Sequence, residues 1–199
     1  MAILAAAVCV MAHREPRFPG DLRVTLWFQS ADSQVLTSAM EWVSRLSGEW
    51  PALALVIVGT IVVWRWLGRP EACLVLAMGA TLPAYSILKV VVNRPRPSAD
   101  LVQVFVTEKG SGFPSGHAFF AMAFLGLVIW LALTHVGKRS LSAVVLAGCL
   151  LLILMIGVSR VYLGVHWLSD VLGGYLLGAV FLALLLWMYH SWRVAPKSS

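Results

Sequence analysis

The residues of this 199-residue chain best suited to covalent chemistry lie in three short patches. The stretch SRVYLGVHWLSD, residues 159–170, sets Arg160 six residues before His166 and Asp170 four residues after it. With a helix beginning near His166, the second spacing puts imidazole and carboxylate on one face, one turn apart. A carboxylate bound to one ring nitrogen fixes the tautomer and leaves the other nitrogen free as a nucleophile. The same pair also suits a structural tie, or a proton-carrying site in a transporter. The second patch, GFPSGH at 112–117, reads as a helix start: Pro114 suits a first turn, Ser115 caps or hydrogen-bonds, and Gly116 admits a ligand close to the backbone. Free N–H groups and the helix dipole favour an anion there, with His117 projecting from the first turn. A capping serine beside an incidental histidine reads the same letters. The third patch, KVVVNRPRP at 89–97, carries Lys89, Arg94 and Arg96, with Pro95 and Pro97 holding the backbone extended. Basic residues at a helix exit are equally ordinary snorkelling anchors.

Together the patches narrow the chemistry. Two histidines, one beside an acid, meet guanidinium and ammonium groups and a helix N-terminus. That inventory suits phosphoryl transfer: a nucleophile, a proton donor for the leaving group, and cations for the charged equatorial oxygens. Acids are few, and nothing in the sequence resembles a carboxylate cage for Mg²⁺. No metal and no cofactor are expected; the positive charge comes from side chains.

The elements that must position these residues belong to a membrane. The chain is 60% hydrophobic and 12% charged, with mean hydropathy +0.85, too apolar for a soluble domain of this length. Residues 51–67, 72–92, 118–133, 141–158 and 171–189 form nearly uncharged blocks close to the ~20 residues that cross a hydrocarbon core. Residues 1–12 are apolar but too short to cross unaided, and read as the end of a shortened or truncated first span. The expected fold is all-α, a polytopic bundle of about six transmembrane helices, forming one domain over 1–199. Trp50, Trp64, Trp66, Trp130, Trp187 and Trp192 sit near segment ends, where indoles favour the interface. Cys9, Cys73 and Cys149 stand alone in apolar runs and read as small buried hydrophobes.

Residues 21–48 are neither span nor simple loop. Val35, Leu36, Ala39, Met40, Val43 and Leu46 recur at helical spacing, with Asp32, Gln34, Ser38, Glu41 and Ser44 between them. An amphipathic helix is expected, either lying in the interface or packed on the bundle. Gly174 and Gly178 make a GxxxG pair whose commoner use is internal helix packing. Loops 93–113 and 159–169 share one membrane face. Arg65, Arg69, Lys138, Arg139, Arg193 and Lys197 share the other, which the positive-inside rule makes cytoplasmic, against Arg14, Arg17, Arg23 and Arg45 on the first. The net charge of +6 lacks the basic stripe and aromatic platform of a nucleic-acid binder, so membrane lipids are the expected partner.

The three patches, in order, resemble the three-part signature of the type 2 phosphatidic acid phosphatase superfamily, which includes vanadium-dependent haloperoxidases. Lys-x6-Arg-Pro is met by Lys89, Arg96 and Pro97; Pro-Ser-Gly-His by Pro114, Ser115, Gly116 and His117; Ser-Arg-x5-His-x3-Asp by Ser159, Arg160, His166 and Asp170. The motifs cover 89–170, and the six-helix layout extends the likeness to most of the chain, the short first helix departing from it. The resemblance implies a phosphohistidine formed on His166, with Asp170 orienting the ring and His117 as general acid. Lys89, Arg96, Arg160, Ser115 and the Gly116 N–H are implied as phosphate ligands, and Arg94 is left as an interface anchor. Membrane members are similar in acting on lipid phosphates at the outer edge of the bilayer: phosphatidate, phosphatidylglycerophosphate, isoprenyl (undecaprenyl) diphosphate or lipid A phosphates. A multi-pass protein of a bacterial cytoplasmic membrane is therefore expected, its site on the extracytoplasmic face. The haloperoxidase alternative meets the difficulty that those members are soluble and much longer. A transporter or channel would place its ionisable groups at mid-bilayer rather than at span ends.

Overall fold

The computed structural model describes residues 1–31 and 33–194, and every regular element among them is a helix. Asp32 and Lys197, assigned above to the 21–48 segment and the basic tail, lie outside the described residues. Nine α-helices follow in order: α1 (Ala2–Arg14), α2 (Asp21–Gln29), α3 (Gln34–Leu46), α4 (Glu49–Trp66), α5 (Arg69–Ala77), α6 (Thr81–Val92), α7 (Gly116–His135), α8 (Arg139–Tyr162) and α9 (Leu168–Val194). Among the described residues, five stretches are long and apolar enough to cross a membrane: Glu49–Trp66, Arg69–Val92, Gly116–His135, Arg139–Tyr162 and Leu168–Arg193. They contain the five apolar blocks of the sequence except for Leu67, which caps α4, and α1 remains the short apolar helix. The chain is a multi-pass membrane protein.

The second of these spans is interrupted. A 3₁₀ turn at Met78–Ala80 joins α5 to α6. Pro83 has no N–H to give to the Gly79 carbonyl, so a regular α-helical ladder through this point would lack a bond. At the far end of α6, Asn93 takes the left-handed conformation (φ 46°) and ends the helix two residues before Pro95.

Helix α7 is the centre of the bundle: over an apolar stretch of 18 residues 56% are buried, against 11% for α4. Its Phe120, Phe124, Leu127 and Leu131 pack with Val56, Val75, Met78 and Tyr189. Helix α9 lies against it through small residues. A Cβ added at Gly178 would meet the Phe119 carbonyl oxygen at 2.5 Å, and one at Gly174 the Ser115 carbonyl oxygen at 2.7 Å. The GxxxG pair therefore serves packing within the chain, as lipid-embedded helices require when apolar burial alone gives no preference for protein over lipid.

Two expectations need correction. Residues 21–48 form two helices, broken after Gln29, with Ser33 capping the second by accepting from the Leu36 N–H at 3.5 Å. Helix α3 uses its apolar stripe on the bundle rather than on lipid alone: Met40 and Leu36 pack around Tyr162, Leu163 and Val165, and Val43 beside Ile153 and Ile156. Val35, Trp42 and Leu46 stay exposed. Helix α2 is pinned from its other end, where Gln29 Nε2 donates to the Gln103 and Tyr162 carbonyls at 2.7 and 2.8 Å. The cysteines are also not uniform, for Cys149 is buried, Cys9 half-buried and Cys73 exposed. A lone apolar-run cysteine has nothing in its spacing to fix which side of the helix it faces.

Candidate active site

The three patches converge at the ends of α6, α7 and α8. His166 follows α8 in the short connection to α9, and it is fully buried. Helix α9 begins at Leu168, so His166 lies before the helix and only Asp170 stands in its first turn. The two still approach, with Nδ1 3.7 Å from Asp170 Oδ2, which is close for an ion pair but too long for a hydrogen bond. Nδ1 has no hydrogen-bond partner. On the other side of the ring, Nε2 lies 3.2 Å from Arg96 Nη1. A guanidinium only donates, so Nε2 accepts and the ring proton sits on Nδ1, towards Asp170. Burial, then the charges of Arg160 and Arg96, hold the His166 pKa well below its usual value, which keeps this lone pair free at neutral pH.

Three cations share the space in front of Nε2. Arg96 is oriented by donating to the Val165 carbonyl (2.8 Å) and the Gly110 carbonyl (3.1 Å). Arg160 is buried and held by Ser44 of α3 through Nη1. That contact gives α3 a role the sequence did not disclose. Lys89 reaches the same space from α6, its ammonium 5.5 Å from the Tyr85 ring centre. Lys89, Gly116 and His117 line one cavity of about 190 Å³, together with Glu49, Ala52, Leu82, Tyr85, Glu108 and Phe120. His117 thus stands in the first turn of α7 facing the cations.

Ser115 is the N-cap of α7: its hydroxyl accepts from the Ala118 N–H at 3.5 Å, and its own N–H donates to the Asp170 carbonyl at 3.1 Å. Helix α7 therefore starts after Pro114, which is not in its first turn. The space beside the Gly116 Cα is filled by Tyr85, whose ring a Cβ would meet at 2.9 Å. Glycine is needed there to admit that ring, whatever its N–H binds.

Glu108 is the acid that the motifs do not contain. Its carboxylate pairs with Arg160 and with Arg96 (3.0 Å), and lies 4.0 Å from His166 Nε2. Burial alone would raise its pKa; the charges of Arg160, then His166, His117 and Arg96, outweigh that and hold it down to about 2.

Arg94 is not an interface anchor. Its side chain is completely buried and bridges two acids, donating to Asp170 Oδ1 at 2.5 Å and to Asp21 Oδ2 at 3.2 Å. It also donates to Ser169 Oγ (2.8 Å) and the Glu15 carbonyl (3.0 Å), and stacks on Phe18 at 4.7 Å. Asp170 Oδ2 accepts the Trp167 N–H at 2.9 Å. These donors satisfy the carboxylate that the spacing alone assigns to His166, which explains the longer His166–Asp170 approach. No signal within the KVVVNRPRP stretch separates an arginine aimed at lipid from one folded inward.

The chain is similar to known proteins in sequence and in fold. Over 134 residues the chain is 33% identical to phosphatidylglycerophosphatase B of Bacillus subtilis, covering 65% of this chain and 63% of that protein. It is 27% identical over 133 residues to lipid phosphate phosphatase delta of Arabidopsis thaliana, covering 32% of that protein. The chain thus spans less than two thirds of the length of these two relatives. Two crystal structures share the helix arrangement. One is the transmembrane PAP2-type phosphatidylglycerolphosphate phosphatase of Bacillus subtilis (TM-score 0.82, 20% identity, 98% of both chains covered). The other is Aquifex aeolicus LpxE (TM-score 0.66, 24% identity, 85% of this chain and 96% of that one). The sequence profile of the PAP2 superfamily matches residues 70–193, a stretch that contains all three patches, and the chain belongs to that superfamily.

Proposed function

We propose that this protein is a lipid phosphate phosphatase that needs no metal and works through a phosphohistidine, with residues 1–199 acting as one membrane-embedded unit. The observation that carries the reading is the His166 imidazole: buried, with its lone-pair nitrogen aimed at Arg96 and its protonated nitrogen towards Asp170. In this mechanism Nε2 attacks phosphorus while Lys89, Arg96 and Arg160 neutralise the equatorial oxygens. The bond from phosphorus to the leaving oxygen breaks, and His117 gives its proton to the departing alkoxide. Asp170 steadies the imidazolium formed on His166, Arg94 having fixed the carboxylate in place. His117, now neutral, takes a proton from water as that water displaces the phosphoryl group from Nε2.

The substrate is read as a lipid monophosphate or diphosphate, with phosphatidylglycerophosphate first because a relative carries that name. Phosphatidate and isoprenyl diphosphate are the next candidates. An apolar groove of about 520 Å³ between α3, α4, α7 and α8 shares Ser47 and Phe120 with the cavity that Lys89 and His117 line. That continuity supports acyl chains lying among the helices while the phosphate meets the cations. The site is assigned to the extracytoplasmic face of a bacterial cytoplasmic membrane.

The test separates the two histidines by rapid mixing with p-nitrophenyl phosphate. General acid catalysis is worth ~10²–10⁴-fold for a poor leaving group, and nitrophenolate needs little of it. His117→Ala is expected to release nitrophenolate in a burst and accumulate phosphoenzyme; His166→Ala is expected to do neither. Phosphoenzyme in His166→Ala but not in His117→Ala would reverse the roles.

A further inference from the structure

The cation cradle in this structure holds a carboxylate from the chain itself. Glu108 Oε2 lies 3.0 Å from Arg96 Nη1 and 4.0 Å from His166 Nε2, while Oε1 pairs with Arg160. Those are the groups assigned above to the phosphate oxygens and the nucleophile. The cavity that Lys89, Gly116 and His117 line is bounded by the same side chain. Glu108 is 27% exposed, whereas its partner Arg160 is 1% exposed, so the carboxylate reaches in from the rim to a fixed buried cation. The backbone carrying it is pinned at Phe105 (N–H to the Leu163 carbonyl, 3.1 Å) and at Gly112 (N–H to the Arg94 carbonyl, 2.8 Å). Between those two anchors it has no regular secondary structure, and Thr107, Lys109 and Gly110 are exposed. Such a segment can withdraw its side chain without disturbing a helix.

We propose that Glu108 is a specificity-determining residue: an internal anion that occupies the phosphate cradle until a doubly charged phosphate displaces it. The inference rests on the phosphatase reading and adds to it a means of rejecting the wrong lipids. A phosphomonoester carries about −1.5 to −2 charges at neutral pH, and a diphosphate at least as many. Bulk phospholipids are phosphodiesters with a single charge on phosphorus, and they surround the protein in large excess. Attraction to three cations scales with the charge of the entering group. A monoanionic diester gains little over the monoanionic carboxylate already in place. A dianionic monoester gains about twice as much and wins. The cost is a weaker apparent affinity for the true substrate, lowered by the fraction of molecules whose cradle is open.

The experiment uses purified full-length protein in detergent micelles, with Glu108→Gln and Glu108→Ala. Glutamine keeps the shape and removes the charge; alanine removes the side chain. Four quantities are read: KM and kcat for a lipid monophosphate, the inhibition constant of orthovanadate, and inhibition by excess phosphatidylglycerol, a phosphodiester. Both variants are expected to lower KM and the vanadate constant by about tenfold, the shift for a cradle open in roughly one molecule in ten. Both are expected to become sensitive to phosphatidylglycerol where the wild type is not. Unchanged KM, vanadate affinity and diester sensitivity in an active wild type and active variants would overturn the inference and leave the phosphatase reading intact. A fall in kcat with unchanged vanadate affinity would overturn it too, by making Glu108 a participant in the chemistry. A wild-type protein that neither hydrolyses the monophosphate nor binds vanadate would overturn the phosphatase reading, and this inference with it.

Discussion

At the scale of single residues, Arg94 and Arg96 are two positions apart in one extended stretch, yet they face opposite tasks. Arg96 points to His166 Nε2, whereas Arg94 turns inward between Asp21 and Asp170. Buried acids with one shared cation are strongly interdependent. Removing one partner of a buried ion pair typically costs ~3–5 kcal/mol, because the remaining charge stays desolvated. Arg94→Ala is therefore expected to lower the thermal midpoint in detergent sharply, and Asp21→Asn in that background to restore part of the loss. Arg94→Lys should recover less than full stability, since an ammonium cannot match the fork that donates to both acids and Ser169. A wild-type midpoint in Arg94→Ala would show that the pairing contributes nothing. The motif residues themselves were legible from sequence because each patch is local. Glu108 and Arg94 were not, for Arg160 lies 52 residues from Glu108 and Asp170 76 residues from Arg94. Spacing along the chain is silent on such partners.

At the scale of elements, α7 and α9 approach most closely at Gly174 and Gly178, beside the start of α7. The Ser115 carbonyl that Gly174 admits belongs to the cap of α7, one residue from the start of the helix that carries His117. Tight contact at that level also brings the Ser115 N–H to the Asp170 carbonyl. Gly178→Ala is expected to destabilise the protein by ~1–3 kcal/mol, the usual effect of forcing a methyl group into a packed contact. Gly148→Ala in α8 is the matched control, because nothing lies within 4 Å of a Cβ there. It should be neutral or slightly stabilising; equal loss in both variants would mean that the contact is not the cause. The long apolar spans were plain in the sequence because a bilayer demands one simple property over ~20 residues. The α2–α3 break was not plain. Both halves carry helical periodicity, and the separation is enforced by tertiary partners: Asp21 held by Arg94 and Ser169, and Gln29 held by two distant carbonyls.

At the scale of the whole molecule, one end of the bundle gathers Lys89, Arg96, His117, Arg160 and His166. The opposite end ties α5, α7 and α9 through Glu71, which accepts from Tyr189 at 2.6 Å and lies 3.2 Å from Arg193 and 3.6 Å from His135. The assignment of the first end to the extracytoplasmic side is checked with Ser98→Cys, an exposed position in the loop before α7, after Cys9, Cys73 and Cys149 are replaced by alanine. A membrane-impermeant thiol reagent is expected to label it in intact cells; labelling only after lysis reverses the topology.

The cavity lined by Lys89 and His117 also reaches down α6 from Lys89 to Leu82, seven residues or about 10 Å along the helix, and is bounded there by Ala52 and Phe120. On the proposed function, a lipid substrate would reach this cavity from a leaflet rather than from solution. Turnover of such a substrate is then expected to follow a two-dimensional density: doubling the amount of inert lipid or detergent at constant total substrate should halve the rate below saturation, although nothing in the bulk concentration has changed.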